Sequence, residues 1–356
     1  MRKLRQAVSL AILLAAPLLL SGCWDNKDIN HRSLPVAMGI TKNGEEYQVF
    51  LQIPEPVATR LQTKIVVEKG DTITKAVDRL SENLESEVDL LHLKVVMIDK
   101  KIAALGMSDI FSFFIRVRDI SPKALVVLCD EDLETFFTNI KNKMNPESRN
   151  LTDFFEKYAG WNPQIALTRI WEVYRSIHSY TEDVVLPIVR SGNTTAISHI
   201  GSAIIKNGRM VGTINSDDTL LVNLFKGESG EGKIEVMENA SVLINKTSLR
   251  LRSRMLQGKP VTKARMSLNV SLLEVKGQTS VETIKQDLKD QLNHRFTKLL
   301  AKAQNGQADI LSLGQTFRRQ IPRSLLQNWR ESLYPDLRVD FDIHINVQDE
   351  GFLKTN

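Results

Sequence analysis

Cysteine is almost missing from this 356-residue chain, which has only Cys23 and Cys129. Cys23 ends an apolar leader and Cys129 sits in the apolar run Ala124 to Cys129, so no intrachain disulfide is expected and the fold must rest on packed cores. Three carboxylates, Asp130, Glu131 and Asp132, follow Cys129 and disfavour a thiolate there. Histidine is also sparse: His31, His92, His178, His199, His294 and His344 are scattered, with no HExxH or other ligand spacing. No Gly-x-Ser-x-Gly elbow occurs. Charge of one sign is also lacking. The formal net charge is +5, but three of the 47 Lys and Arg are Arg2, Lys3 and Arg5 of the leader, leaving near-balance against 42 Asp and Glu. That balance argues against a nucleic acid partner. These absences give an expectation of no catalytic residue, no metal and no cofactor.

What is present begins at the amino end. Arg2, Lys3 and Arg5 precede the apolar run Ala7 to Leu20, and Leu20-Ser21-Gly22-Cys23 follows it. This is the order of a secretory signal peptide that ends in lipid modification. A peptidase needs small side chains before its cut, and a thiol takes a thioether-linked diacylglyceryl chain. Residues 1–22 are therefore expected to be removed, and Cys23 to become the lipid-bearing first residue. The competing reading is an uncleaved membrane anchor, but the run is broken by Pro17 and is shorter than the roughly 20 apolar residues a spanning helix needs. Trp24 beside the lipid cysteine suits a membrane interface, or equally the domain surface.

With 42% hydrophobic residues and no low-complexity stretch, Cys23 to Asn356 is long enough for two or three domains. Asn43-Gly44 between Ser33–Ile40 and Tyr47–Pro54 predicts a hairpin, and Asn207-Gly208 between Ala196–Lys206 and Arg209–Asn215 predicts a second. Ile73, Ala76, Val77, Leu80 and Leu84 recur at helical spacing behind Asp71-Thr72. Strands are expected at 92–98, 123–129 and 184–189, and helices at 100–105, 108–118 and from Asp132. The polar stretch 138–150 reads as a loop near a domain edge, and 151–180, with Trp161 and Trp171, reads as mainly helical. Helix 216–225 precedes strands at 233–252 and 262–276 of a separate sheet. The longest helix is expected over 280–303, shorter ones over 309–319 and 323–333, and a final strand over 338–347. Clusters of strands followed by clusters of helices predict an α+β fold with mixed and antiparallel sheets packed against helices. The expected division is 23–190, with a further boundary near 140–150, and 191–356.

Two motifs need testing. Gly227 to Lys233 has the spacing of a phosphate-binding loop up to its lysine. Ile234 stands where a hydroxyl should hold magnesium, Glu228 and Glu231 would repel phosphate, and the chain continues as a strand, so a Gly-rich turn is expected. Arg318, Arg319 and Arg323 form a small basic cluster suited to anionic headgroups or an acidic partner, or to a solvated helix face.

Cys23-Trp24-Asp25, Asp28-Ile29-Asn30, Val36 to Ile40, Leu91 to Ile98, Gly201 to Lys206, Met210-Val211-Gly212, Leu224 to Gly227 and Ala308 to Arg318 with Trp329 and Tyr334-Pro335 resemble, in this order, the C-subunit lipoproteins of bacterial spore germinant receptors, the Ger(x)C family. Arg118-Asp119-Ile120-Ser121-Pro122 departs from the family, which more often has a second arginine there. The resemblance implies three α+β domains and a non-enzymatic subunit at the outer face of the spore inner membrane. It also implies two integral-membrane partner subunits that bind small nutrients and help release ions. Only Cys23, as lipid attachment site, carries over by position. The alternative of the same length is a solute-binding lipoprotein of a membrane transporter, which would need two lobes of repeating βαβ units. A lipid-anchored enzyme would need convergent polar groups that the sequence does not display.

Overall fold

Short-range turn and cap chemistry shapes most of the elements in the computed structural model, which describes Gln6 and residues 31–57, 60–143, 151–155, 162–228 and 230–349. The chain opens with β1 (Arg32–Ser33), β2 (Ala37–Asn43), β3 (Glu46–Val57) and β4 (Arg60–Gly70), followed by α1 (Ile73–Asn83), β5 (Glu87–Val88) and β6 (Val95–Asp99). Gly44 takes a φ of 63°, the left-handed region that the two-residue turn between β2 and β3 requires. Thr72 caps α1 by accepting from the Lys75 N–H at 3.1 Å. Next come α2 (Lys100–Leu105), α3 (Ser108–Arg116), β7 (Leu125–Cys129), α4 (Leu133–Lys143), α5 (Leu151–Phe155), α6 (Ile170–Ile177) and β8 (Val184–Ser191). The hairpin β9 (Ile197–Lys206) and β10 (Arg209–Ile214) turns at Asn207 and Gly208, both at positive φ, and leads into α7 (Ser216–Phe225). The remainder is β11 (Ile234–Val236), β12 (Ala240–Leu256), β13 (Lys259–Val275), α8 (Val281–Asn305), the short α9 (Arg323–Leu326) and β14 (Arg338–Asp349).

One sheet has eight strands in the order β10-β9-β8-β7-β6-β2-β3-β4. Its middle, β2-β6-β7-β8, is parallel and its two flanks are antiparallel hairpins. The fully buried runs of β6 and β7 follow from this, since a parallel strand is covered on both faces. Ile73, Phe111 and Val173 of α1, α3 and α6 pack on one face. Phe136, Phe137 and Ile140 of α4 pack on the other. Phe137 stacks on Phe50 with centroids 5.5 Å apart, and it lies where a Cβ on Gly39 would come within 2.5 Å of its ring, so only glycine admits it at this position.

A second sheet, β11-β12-β13-β14, is antiparallel except for the parallel β13–β14 pair. Ile284, Leu288, Leu292, Phe296 and Leu299 of α8 cover its inner face. The same core includes Val185, Ile204 and Ile214 of the large sheet, which joins the two layers. The fold is α+β with mixed sheets. The hairpin 197–214 lies beside β8 in the large sheet, and position 190/191 is near the end of β8. Among the described residues no helix is long and apolar enough to cross a membrane.

Three expectations fail. Over Thr138 to Lys143 the loop reading fails, because Ile140 extends the buried stripe of α4 to Lys143 despite the polar neighbours. The helix read over 151–180 is broken: residues 162–168 form a turn, closed by the Ile165 N–H on the Asn162 carbonyl, and then irregular chain, with Leu125 bridging Arg169 before α6 starts. Trp161 and residues 144–150 lie outside the described set. The helices read over 309–319 and 323–333 shrink to single turns, Leu313–Phe317, Arg323–Leu326 and Trp329–Leu333. For the first of these the reason is a set of polar contacts around Asp309.

Candidate functional site

Where β8 begins, three polar residues, Thr181, Glu182 and Asp183, are buried. Burying a carboxylate is costly unless its charge is matched, and Asp183 is fully matched. Arg330, from the turn after α9, reaches it with Nε at 2.9 Å and Nη2 at 2.8 Å, and Nη2 also donates to the Glu182 carbonyl at 2.9 Å. Such a forked pair is the strong form of the interaction. The main chain adds to it: the Asp183 N–H donates to the Asp309 carbonyl at 3.0 Å, and the Asp309 N–H donates to Asp183 Oδ2 at 2.8 Å.

Asp309 is buried beside this pair. Its carboxyl accepts from the Leu313 N–H at 2.9 Å, the Gly314 N–H at 2.7 Å and Trp329 Nε1 at 3.0 Å. A Cβ on Gly314 would come within 2.6 Å of the indole, so glycine lets Trp329 lie against the turn. These bonds take the chain at 309–314 out of regular helix, since the Leu313 and Gly314 N–H groups are aimed at one carboxyl. Burial pushes Asp309 up to about 7, against the lowering effect of its three donors, and burial raises Asp183 as well.

A group whose pKa is higher in the fold holds its proton where the unfolded chain has lost it, so stability falls as pH rises from near 4 to near 7. Urea midpoints measured over that interval should decline with a loss on the order of a few kcal/mol. In Asp309→Asn the decline should flatten, although the protein is less stable throughout because an amide offers those donors one acceptor fewer. An unchanged slope in that variant would show that another group titrates.

Above the junction lies a cleft of about 490 Å³. Gln315 spans its floor, donating to Thr181 Oγ1 at 3.0 Å and Glu182 Oε2 at 3.3 Å. Arg175 closes one side, 2.5 Å from Glu182 Oε1 and 4.7 Å from the centre of the Trp171 ring. Arg318 and Arg323 stand on the rim, exposed, and bring two members of the basic cluster together at this edge; Arg319 is exposed but is not among the lining residues.

The remaining candidates separate. Cys23 and Trp24 lie outside the described residues. Cys129 is a buried free thiol pushed up to about 12 by burial, which leaves it inert as a nucleophile. His92 is exposed at the end of a single turn. Gly227 and Gly232 both take positive φ and the chain then enters β11, as expected of a turn and unlike a phosphate loop feeding a helix. Sequence reading missed the contact of His199 Nδ1 with Ser216 Oγ at 3.3 Å. Nε2 of His199 is buried without a partner, and burial lowers the ring's pKa. Among the described residues no group of three or more His, Cys, Asp or Glu could hold a metal ion.

The chain joins Asp183 of one segment to Asp309 and Arg330 of another, and the comparisons with known proteins divide along the same line. Residues 25–191 match the family described as "Spore germination protein N-terminal domain", and 200–351 match "Spore germination B3/ GerAC like, C-terminal". The chain belongs to the Ger(x)C family. Its role is therefore in spore germination, and Ger(x)C is not a known enzyme family. Relatives agree along nearly the whole length. Spore germination protein A3 of Bacillus subtilis (strain 168) is 20% identical over 359 residues, covering 94% of this chain and 95% of that protein. Spore germination protein KC of the same organism is 21% identical over 399 residues, covering 98% and 96%. The crystal structure of the GerBC protein shares the fold, with a TM-score of 0.59 and 16% identity over 88% of this chain and 97% of that one. In Ger(x)C terms, the Asp183–Arg330 junction ties the two family segments together. The gap between the two matches, at 192–199, falls at the turn from β8 into β9 inside one sheet.

Proposed function

We propose that this Ger(x)C protein is a lipid-anchored, non-enzymatic subunit of a nutrient germinant receptor. It is held at the outer face of the spore inner membrane through Cys23 and acts with two integral-membrane subunits. The observation that carries this reading is the match of both family segments behind a leader that ends in Leu20-Ser21-Gly22-Cys23. The described part supports it: a mixed eight-stranded sheet continuous with a second core makes one body for docking surfaces, rather than two lobes of βαβ units around a cleft. Two acyl chains on Cys23 hold a protein stably without a spanning helix.

The test is nutrient response. Spores lacking this gene should fail to germinate with at least one amino acid or sugar that triggers the parent strain, and should respond again when the gene is restored. Parent-like responses to every nutrient, together with uptake defects during growth, would instead indicate a transporter's lipoprotein.

A further inference from the structure

The four-stranded sheet buries one face against α8 and leaves the other in solvent. Along β12 the alternation places Lys246, Ser248, Arg250, Arg252 and Arg254 on the exposed side. The register sets Arg265 and Lys263 of β13 directly opposite Arg250 and Arg252. On the far side, Asp342 and Asp340 of β14 stand next to the same two residues and pair with them, Arg265 at 3.5 Å and Lys263 at 3.8 Å. The β13 cations are thus balanced by β14. Among the described residues no carboxylate forms an ion pair with Arg250, Arg252 or Arg254.

These three arginines lie on a strand edge, because β11 pairs with β12 only from Ser241 to Leu243. The Gln320 side chain covers part of that edge, donating to the Ser253 carbonyl at 2.9 Å; where the edge is open, a charge guards against edge-to-edge aggregation whatever its sign. Acids at 250 and 252 would do that and would also pair across to Arg265 and Lys263. Arginine instead puts like charges in opposed positions, which destabilises a sheet. The choice of sign therefore points to an external anion. Alternate residues of a strand are about 6.7 Å apart, a spacing that suits a surface of many separate negative charges better than one small ligand.

We propose that the exposed face of β12 and β13 docks on the anionic phospholipid headgroups of the membrane that holds the chain. The occupant rests on the lipid-anchored reading above: nine residues from Cys23 to Arg32 reach at most about 30 Å, so the body stays close to the bilayer. The acyl chains fix the distance and the arginine face fixes the orientation.

The test uses the chain from Cys23 onward with Cys23→Ser, so that no acyl chain contributes. It is floated with vesicles of phosphatidylglycerol in phosphatidylcholine, or of phosphatidylcholine alone. Binding is expected only with phosphatidylglycerol, and it should weaken with added salt. Arg250→Gln/Arg252→Gln/Arg254→Gln should lower the partition coefficient about 100-fold, at roughly one kcal/mol per charge near an anionic surface. Lys289→Gln/Lys298→Gln/Lys302→Gln removes the same charge from α8, on the opposite face of the sheet, and should cost far less. Equal binding to both vesicles, or equal losses in the two triple variants, would overturn the proposal. A photo-crosslinker at position 252 of the acylated protein should label lipid in spore membranes; a protein adduct in its place would also overturn it. Because the vesicle protein carries no lipid, its failure to bind would leave the Cys23 anchor standing.

Discussion

Arg330→Met is expected to destabilise the protein by about 3–5 kcal/mol, the cost of leaving a buried carboxylate without its cation. Asp183 is fully buried and Arg330 nearly so, and the pair is held by a fork of two hydrogen bonds, so solvent cannot replace the lost guanidinium. The effect should spread, because the same arginine holds the Glu182 carbonyl, while Asp183 holds the Asp309 N–H and through it the turn around Trp329. The double variant Asp183→Leu/Arg330→Met removes both charges and should recover a large part of the loss, since an apolar pair of similar volume tolerates such a site. Urea denaturation of the parent, Arg330→Met and the double variant measures this. A loss below about 1 kcal/mol for Arg330→Met would mean that the junction is hydrated and that the two segments are held by their shared apolar core alone.

Cys23→Ala is the other large effect. Each buried methylene contributes about 0.8 kcal/mol to membrane binding, and two long chains make release negligible on the time of an experiment, whereas one myristoyl chain holds only marginally. Alanine cannot form the thioether, and the apolar leader is short for a span. The variant should therefore leave the washed membrane fraction almost entirely, and its spores should lose the nutrient response as fully as the deletion does. Any residual attachment through the arginine face should be removed by salt, which screens charge and leaves acyl chains in place. Full membrane retention after a salt wash, with normal germination, would sink the anchoring proposal.

Signals confined to a few residues were legible in the sequence. Gly44 takes positive φ in the first predicted turn and Asn207 and Gly208 both take it in the second, and Ser280 caps α8 through the Thr283 N–H at 3.2 Å. The alternation from Val339 to Val347 is the β14 strand. Its parallel partner was not legible: Val261 opposes Arg338 across a long intervening stretch, and nothing local names that register. The junction was hidden for the same reason. Asp183 and Arg330 are 147 positions apart, and Asp309 looks like an ordinary helix-starting acid until the fold aims three donors at it. A clue was present in Trp329-Arg330, a large aromatic beside a charge in a segment otherwise read as a helix. The apolar stripe of α4 was lost among its polar neighbours, where tertiary burial of Ile140 outweighed composition.

The arginine column shows the opposite case. Arg250, Arg252 and Arg254 are plain in the sequence as alternating residues, but their meaning depends on which column stands beside them. Only the pairing with β13 and β14 shows that the acids sit one strand too far away to neutralise them.

The most direct test of a receptor subunit is what it holds on to. The tagged protein should be purified from the spore inner membrane in mild detergent, and its companions identified by mass spectrometry. Two multi-spanning proteins should be recovered in constant proportion with it, together with a diacylglyceryl-modified Cys23 peptide. Recovery of the protein alone, or with a transporter's permease and ATPase, would contradict the account.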